Sequence, residues 1–295
     1  MSLEKTKFTG TGVAIVTPFR KDESVDFKAL ANLVNFQIEN KIDYIVALGT
    51  TGEPIVLSND EKQAVVETIV ETTNGRVPIV LGIGGNNTND IVSKVKAVNS
   101  SKIDAILSVV PYYNKPSQNG IFEHYKAISN ASQLPIIAYN VPGRTVVNMT
   151  AETTLKIANE LKNIIGVKDA SGNLLQLMDI IKNKPSDFKV ISGDDGFTYP
   201  LMTLGGSGVI SVVANIFPFE FSNMVNLCLQ NKYNEALQIH YKLIDFINLL
   251  FAEGSPSGIK AALEIKGHIS NYLRLPLTPV SDKLLDAIKL ELNKK

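Results

Sequence analysis

The chain has 295 residues, 44% of them hydrophobic and 20% charged, and its 29 basic and 29 acidic side chains cancel. That length suits one large domain or two ordinary ones, and an α/β barrel occupies about 250 residues as a single unit. Balanced charge and ordinary composition exclude a basic nucleic-acid binder and a disordered acidic tail, so the expected partners are small molecules or other protein chains. A lone cysteine, Cys228, lies in an apolar helical pattern, which excludes an internal disulfide and fits a reducing compartment. Residues Met1 to Lys7 carry no apolar signal region, and no run approaches the eighteen or so apolar residues of a membrane span. A cytoplasmic protein with no membrane contact is expected.

Short β-branched runs begin near Val13, Tyr44, Val77, Ala105, Pro135, Ile164, Lys189 and Gly208, and amphipathic helical patterns separate them. Eight strands alternating with helices predict an α/β fold, a parallel sheet closed into a (β/α)₈ TIM barrel, with a doubly wound open sheet as the alternative. The second helix opens with Ser58-Asn59-Asp60-Glu61, a capping-box pattern, and others start near Thr150 and Ser171. More chain follows the eighth strand than one closing helix uses, so residues 1–220 are expected to form the catalytic barrel and residues 221–295 a C-terminal helical extension. Pro218, the segment Gly254 to Gly258 and the segment Leu275 to Pro279 divide this tail into helical pieces. Two of these carry apolar stripes, Leu243, Ile244, Ile247, Leu250 and Phe251 in one, and Leu284, Leu285, Ile288 and Leu292 in the other.

In a parallel barrel the working groups sit at the carboxyl ends of strands and in the loops after them. Those positions are polar and glycine-rich here. They read Gly49-Thr50-Thr51-Gly52-Glu53 after strand two, Pro111-Tyr112-Tyr113-Asn114 after strand four, and Tyr139-Asn140-Val141-Pro142-Gly143-Arg144-Thr145 at strand five. Strand seven delivers Ser192-Gly193-Asp194-Asp195. Taken singly, a glycine loop is a tight turn and a strand-end tyrosine is amphipathic filler. Strand six, Ile164 to Val167, runs straight into Lys168 and the turn Asp169-Ala170-Ser171-Gly172. Alternation puts Ile164, Gly166 and Lys168 on one face, toward the barrel interior. A lysine there either snorkels to solvent, pairs with Asp169, or is a desolvated amine able to attack a ketone and form a Schiff base. Gly82 to Asn87 lacks the last glycine of a dinucleotide fingerprint, and His124, His240 and His268 stand alone in helical contexts. No cofactor and no metal site is expected.

Five of these motifs, in the same order along nearly the whole chain, resemble the dihydrodipicolinate (4-hydroxy-tetrahydrodipicolinate) synthase family of pyruvate-dependent class I aldolases. The resemblance implies a Schiff-base barrel that condenses pyruvate with L-aspartate 4-semialdehyde on the diaminopimelate route to lysine. It makes Lys168 the imine-forming amine and Tyr139 the general acid and base, with Thr50 and Tyr113 completing a proton relay. Thr51 would hold the carboxylate of pyruvate and Arg144 that of the semialdehyde, while Gly193 and Ile210 line the pocket through their backbones. It also implies a homodimer or homotetramer in which Tyr113 enters the neighbouring subunit's site. Two alternatives are an N-acetylneuraminate lyase or keto-deoxy-sugar-acid aldolase of the same superfamily, disfavoured by Thr50 and Arg144, and a non-catalytic barrel that binds a small anion. Family members inhibited by lysine use polar side chains at positions held here by Pro54, Ile55, Asn59, Lys62 and Asp90, and only Tyr112 and Asn86 keep the pattern. Insensitivity to lysine is the expectation.

Overall fold

The computed structural model describes residues 7–294. Runs of Val and Ile form eight strands: β1 (Gly10–Ala14), β2 (Tyr44–Ala47), β3 (Ile79–Gly82), β4 (Ala105–Val109), β5 (Ile136–Asn140), β6 (Ile164–Asp169), β7 (Lys189–Ser192) and β8 (Gly208–Ser211). Each pairs in parallel with its sequence neighbour and β8 pairs back onto β1, closing the barrel. The predicted closed barrel is therefore the observed fold, and the open sheet is excluded. Helices α1 (Phe27–Glu39), α2 (Asn59–Thr73), α3 (Thr88–Lys96), α4 (Gln118–Ala131), α5 (Pro142–Thr145), α6 (Ala151–Glu160), α7 (Leu174–Asn183), α8 (Thr198–Thr203) and α9 (Pro218–Leu229) follow the strands. The tail adds α10 (Tyr233–Phe251), α11 (Ser257–Ile265) and α12 (Asp282–Leu292). Residue 220 lies inside α9, which packs against β1 as well as α10.

Strand alternation sorts the apolar residues into two layers. Val13, Ile45, Ile79, Ile106, Ile136, Val167, Val190 and Val209 face the helices, whereas Ala14, Val46, Val80, Leu107, Ile137, Tyr139, Ile191 and Ile210 fill the barrel. At the amino-terminal end of the strands the Tyr44 ring closes the interior, donating from its hydroxyl to the Val209 carbonyl at 3.2 Å. It takes the space a side chain at Gly12 would need: a Cβ there would stand 2.1 Å from the ring. The first strand begins at Gly10 rather than Val13 because these glycines, which carry no β signal of their own, are demanded by the packing.

β6 departs from simple alternation. The register between β5 and β6 shifts after Ile136, which pairs with Ile164 while Ile137 pairs with Gly166, so one extra residue is accommodated in β6. Ile164 therefore packs in the helix-facing layer, not on the inner face expected for it, and Ile165 leans on the inner cluster. Gly166 and Lys168 lie beyond the irregularity and keep the inner face through their pairing with Ile137 and Tyr139. The helix starts mostly follow the cap chemistry. Ser58 and Glu61 form the reciprocal capping box of α2, Thr150 caps α6, and Pro218 is the first residue of α9. α7 is capped by Asn173 instead of Ser171, since the positive φ of Gly172 still belongs to the turn. Of the tail stripes, Leu243, Ile247, Leu250, Leu284, Ile288 and Leu292 are buried, while Phe251 is exposed. No helix among the described residues is long and apolar enough to cross a membrane.

Candidate active site

Lys168 sits at the carboxyl end of β6 with only 6% of its surface exposed. Snorkelling is excluded by that burial. Pairing with Asp169 is excluded as well, because the Asp169 carboxylate points to the other side of the strand. There it accepts from the Asn140 side-chain amide at 2.8 Å and from the Ser171 backbone N–H at 2.8 Å. Among the described residues no carboxylate lies within ion-pair distance of Lys168; its Nζ instead stands 4.2 Å from the centroid of the Tyr139 ring. The protein has a second buried lysine for contrast. Lys260, in α11, is fully buried with the Glu53 carboxylate against its ammonium, the usual way a protein tolerates a charge inside. Lys168 has an aromatic face where Lys260 has an anion.

The neighbours of Lys168 are held by their own bonds. Tyr139 is the last but one residue of β5, and Tyr125 from α4 reaches beneath it. The Tyr125 hydroxyl donates to the Ser108 carbonyl at 2.8 Å and accepts from the Tyr139 N–H at 3.3 Å, and burial raises its phenol well above the ordinary range. Asn140 ties the end of β5 to that of β6 through Asp169, and to the following loop by accepting from the Met149 N–H at 2.9 Å. Gly193, after β7, donates to the Asp169 carbonyl at 2.7 Å, and a Cβ on it would lie 3.1 Å from Cε of Lys168. Ile210 is buried in the same interior cluster as Tyr139. Just beyond Gly193, the buried carboxylate of Asp195 accepts from the N–H groups of Val212 and Val213 at 3.0 and 2.9 Å. Burial pushes its carboxyl up to about 6, against the opposing hydrogen bonds from Ser211 and these amides.

The loop after β2 forms two short 3₁₀ turns, Thr50–Gly52 and Pro54–Val56. Thr51 is buried and Thr50 exposed at its tip. Arg144 lies in α5 with its guanidinium donating to the Ser255 carbonyl at 3.3 Å. Tyr113 is 88% exposed and holds a positive φ of 75°, which a bulky residue adopts only when its surroundings impose it. The fold thus gathers Lys168, Tyr139, Gly193 and Ile210 in one place and brings Thr51 to the same end of the barrel. Among the described residues no hydrogen bond joins Thr50, Tyr113 and Tyr139. A cleft of about 360 Å³ opens between Asp194, Gly196 and Phe197 on one side and Ile244, Asn248 and Phe251 of α10 on the other, and Lys168 does not line it. Of the histidines, His124 is buried against the Thr88 hydroxyl at 2.9 Å and His268 lies tilted against the Phe36 ring. Among the described residues no group of three His, Cys, Asp or Glu side chains is placed to hold a metal ion.

The model of the dihydrodipicolinate synthetase family matches residues 7–295. The chain belongs to that family. A 4-hydroxy-tetrahydrodipicolinate synthase of Parabacteroides distasonis is 59% identical over 92% of this chain and 91% of its own, and that of Phocaeicola vulgatus is 52% identical over 98% and 97%. Among solved structures, the chloride-inhibited dihydrodipicolinate synthase of Acinetobacter baumannii, crystallised with pyruvate, superposes with a TM-score of 0.94 at 41% identity. The match covers 97% of this chain and 98% of that one. The function is accordingly that of a 4-hydroxy-tetrahydrodipicolinate synthase, an enzyme of the class I aldolase type acting in lysine and diaminopimelate biosynthesis.

Proposed function

We propose that Lys168 carries the reaction as a Schiff base with pyruvate. The observation that supports this most directly is a lysine buried at a strand's carboxyl end, with a tyrosine ring against it and no carboxylate of the described residues within ion-pair distance. The amine of Lys168 attacks the ketone carbon of pyruvate and water leaves, giving an imine that draws electrons from the adjacent methyl group. Tyr139, having passed its own proton into the relay, takes a proton from that methyl, and the resulting enamine carbon adds to the aldehyde of L-aspartate 4-semialdehyde, whose oxygen takes up the proton from Tyr139 as it becomes a hydroxyl. The substrate's own amine then attacks the imine carbon, closing the ring and releasing Lys168.

In this reading the hydroxyl of Thr51 and the backbone amides of its turn hold the carboxylate of pyruvate, and Arg144 offers its planar fork to the semialdehyde carboxylate. Gly193 and Ile210 shape the wall. In this reading Tyr139 exchanges protons through a hydrogen-bonded chain, which Thr50 and Tyr113 supply. Tyr113, exposed on one chain, reaches the site of a neighbouring copy, so the working form is a homodimer or a homotetramer. Comparing pyruvate formation from N-acetylneuraminate with consumption of aspartate semialdehyde plus pyruvate tests the assignment. Turnover of the sugar acid and none of the semialdehyde would refute it.

A further inference from the structure

The second buried lysine lies far along the chain from the chemistry, yet its partner is in the substrate loop. Glu53 directly follows Thr50-Thr51-Gly52 and sits between the two 3₁₀ turns with φ 54° and ψ 40°. That left-handed conformation strains a side-chain-bearing residue and persists only where something holds it. What holds it is Lys260, whose ammonium lies against the Glu53 carboxylate with both side chains out of solvent. Lys260 also donates to the Tyr272 carbonyl at 3.1 Å and stands 4.1 Å from the Phe19 ring centroid. Arg274 meets the same ring at 4.6 Å and donates to the carbonyl of Val56, the last residue of the second turn, at 2.8 Å. From the barrel side, the Thr17 hydroxyl donates to the Gly52 carbonyl at 2.7 Å. The Thr50–Thr51 turn is thus clamped between the barrel and the tail.

The tail reaches the other proposed carboxylate site too, since the Ser255 carbonyl that Arg144 contacts lies five residues before Lys260. A buried ion pair is a poor source of net stability, because desolvating two charges offsets most of their attraction and an apolar pair of similar size is often as stable. It is, however, a directional constraint.

We propose that Glu53 and Lys260 are positioning residues through which the C-terminal extension fixes the Thr50–Thr51 turn in the geometry that receives the carboxylate of pyruvate. The proposal rests on the reading that this turn binds pyruvate and Lys168 reacts with it. It is tested by borohydride trapping of the pyruvate adduct at graded pyruvate concentrations, with thermal unfolding measured alongside. Lys260→Met strands a buried carboxylate and lowers the unfolding midpoint. The double variant Glu53→Gln/Lys260→Met restores the midpoint but leaves the half-saturating pyruvate concentration raised by about fivefold or more. Glu53→Asp keeps the charge and shortens the reach, and gives the same rise with the fold least disturbed.

If the double variant and Glu53→Asp both trap pyruvate with less than about a fivefold change, the pair is only part of the packing and the proposal is overturned. Failure of the unaltered enzyme to form any adduct on Lys168 would instead remove the underlying reading, and the two failures are thereby distinct.

Discussion

The stem of Lys168 occupies the room that a methyl group on Gly193 would need: a Cβ there would lie 3.1 Å from Cε of Lys168 and 2.9 Å from Cβ of Ala170. The glycine is required for that close approach, since its φ lies outside the left-handed region. Gly193→Ala is therefore expected to push the lysine off its position and slow pyruvate imine formation by about tenfold or more. The barrel itself should lose only the overpacking cost of about 1–3 kcal/mol. Borohydride trapping rates and a urea unfolding curve measure the two effects separately, and an unchanged trapping rate would show that the lysine has slack.

Arg144 makes a single long hydrogen bond to the tail, 3.3 Å to the Ser255 carbonyl, and is otherwise exposed. Its removal costs the fold that one long hydrogen bond to the Ser255 carbonyl. Arg144→Ala should raise the apparent KM for aspartate semialdehyde while pyruvate trapping on Lys168 stays within about twofold. Steady-state kinetics with each substrate varied in turn decide this, and an ordinary KM for the semialdehyde removes Arg144 from the site.

The pairing of Arg274 with Glu61 gives a stability signal that depends on pH. Hydrogen bonds from Arg274, opposed by partial burial, hold the Glu61 carboxyl down to about 2 from an ordinary value of 4.5. A carboxylate depressed in the folded state stabilises it above the unfolded value, and that contribution fades as pH falls from about 4.5 toward about 2. Glu61→Gln should cost on the order of 1–2 kcal/mol at pH 7 by urea unfolding, with the gap to the parent protein closing below pH 4.5. A gap independent of pH would mean that the pair contributes packing alone.

Regulation follows from side chains near Tyr112. The Asn86 amide donates to the Tyr112 carbonyl at 3.3 Å, but Asp90 is engaged by Lys94 at 2.7 Å on its own helix, and Pro54, followed by the exposed Ile55, offers no hydroxyl. Each charge-assisted hydrogen bond missing from such a pocket weakens binding by about tenfold to a hundredfold. L-lysine titrated into the coupled assay at saturating pyruvate is expected to leave half the activity or more at about millimolar concentration. Half-inhibition well below that would show a working pocket.

Much of this architecture is legible in the chain because the barrel repeats one alternation, a β-branched run, a polar turn and a helix, and several of those helices carry a readable cap. The exceptions have local causes. Gly10 and Gly12 hide the start of β1, since Gly12 is selected by the Tyr44 ring and Gly10 by its positive φ and the Asp43 carboxylate, not by strand propensity. Pro78 separates Val77 from β3, which begins at Ile79. The irregularity in β6 turns Ile164 outward, and no residue type announces it. Lys168 is legible from its place after an apolar strand. Its isolation from Asp169 is not, because that depends on Asn140 from a neighbouring strand. Lys260 stands alone among apolar residues in α11, which is a visible oddity, but its partner Glu53 is about two hundred positions away and only the fold joins them.

The central claim, covalent chemistry at Lys168, is tested most directly by reducing the protein with borohydride in the presence of pyruvate and mapping the modified peptide. The account predicts one pyruvyl adduct, on Lys168, absent without pyruvate and absent in Lys168→Arg, a variant that keeps the charge and the fold. An adduct on Lys260 or any other lysine, or none at all, would contradict it.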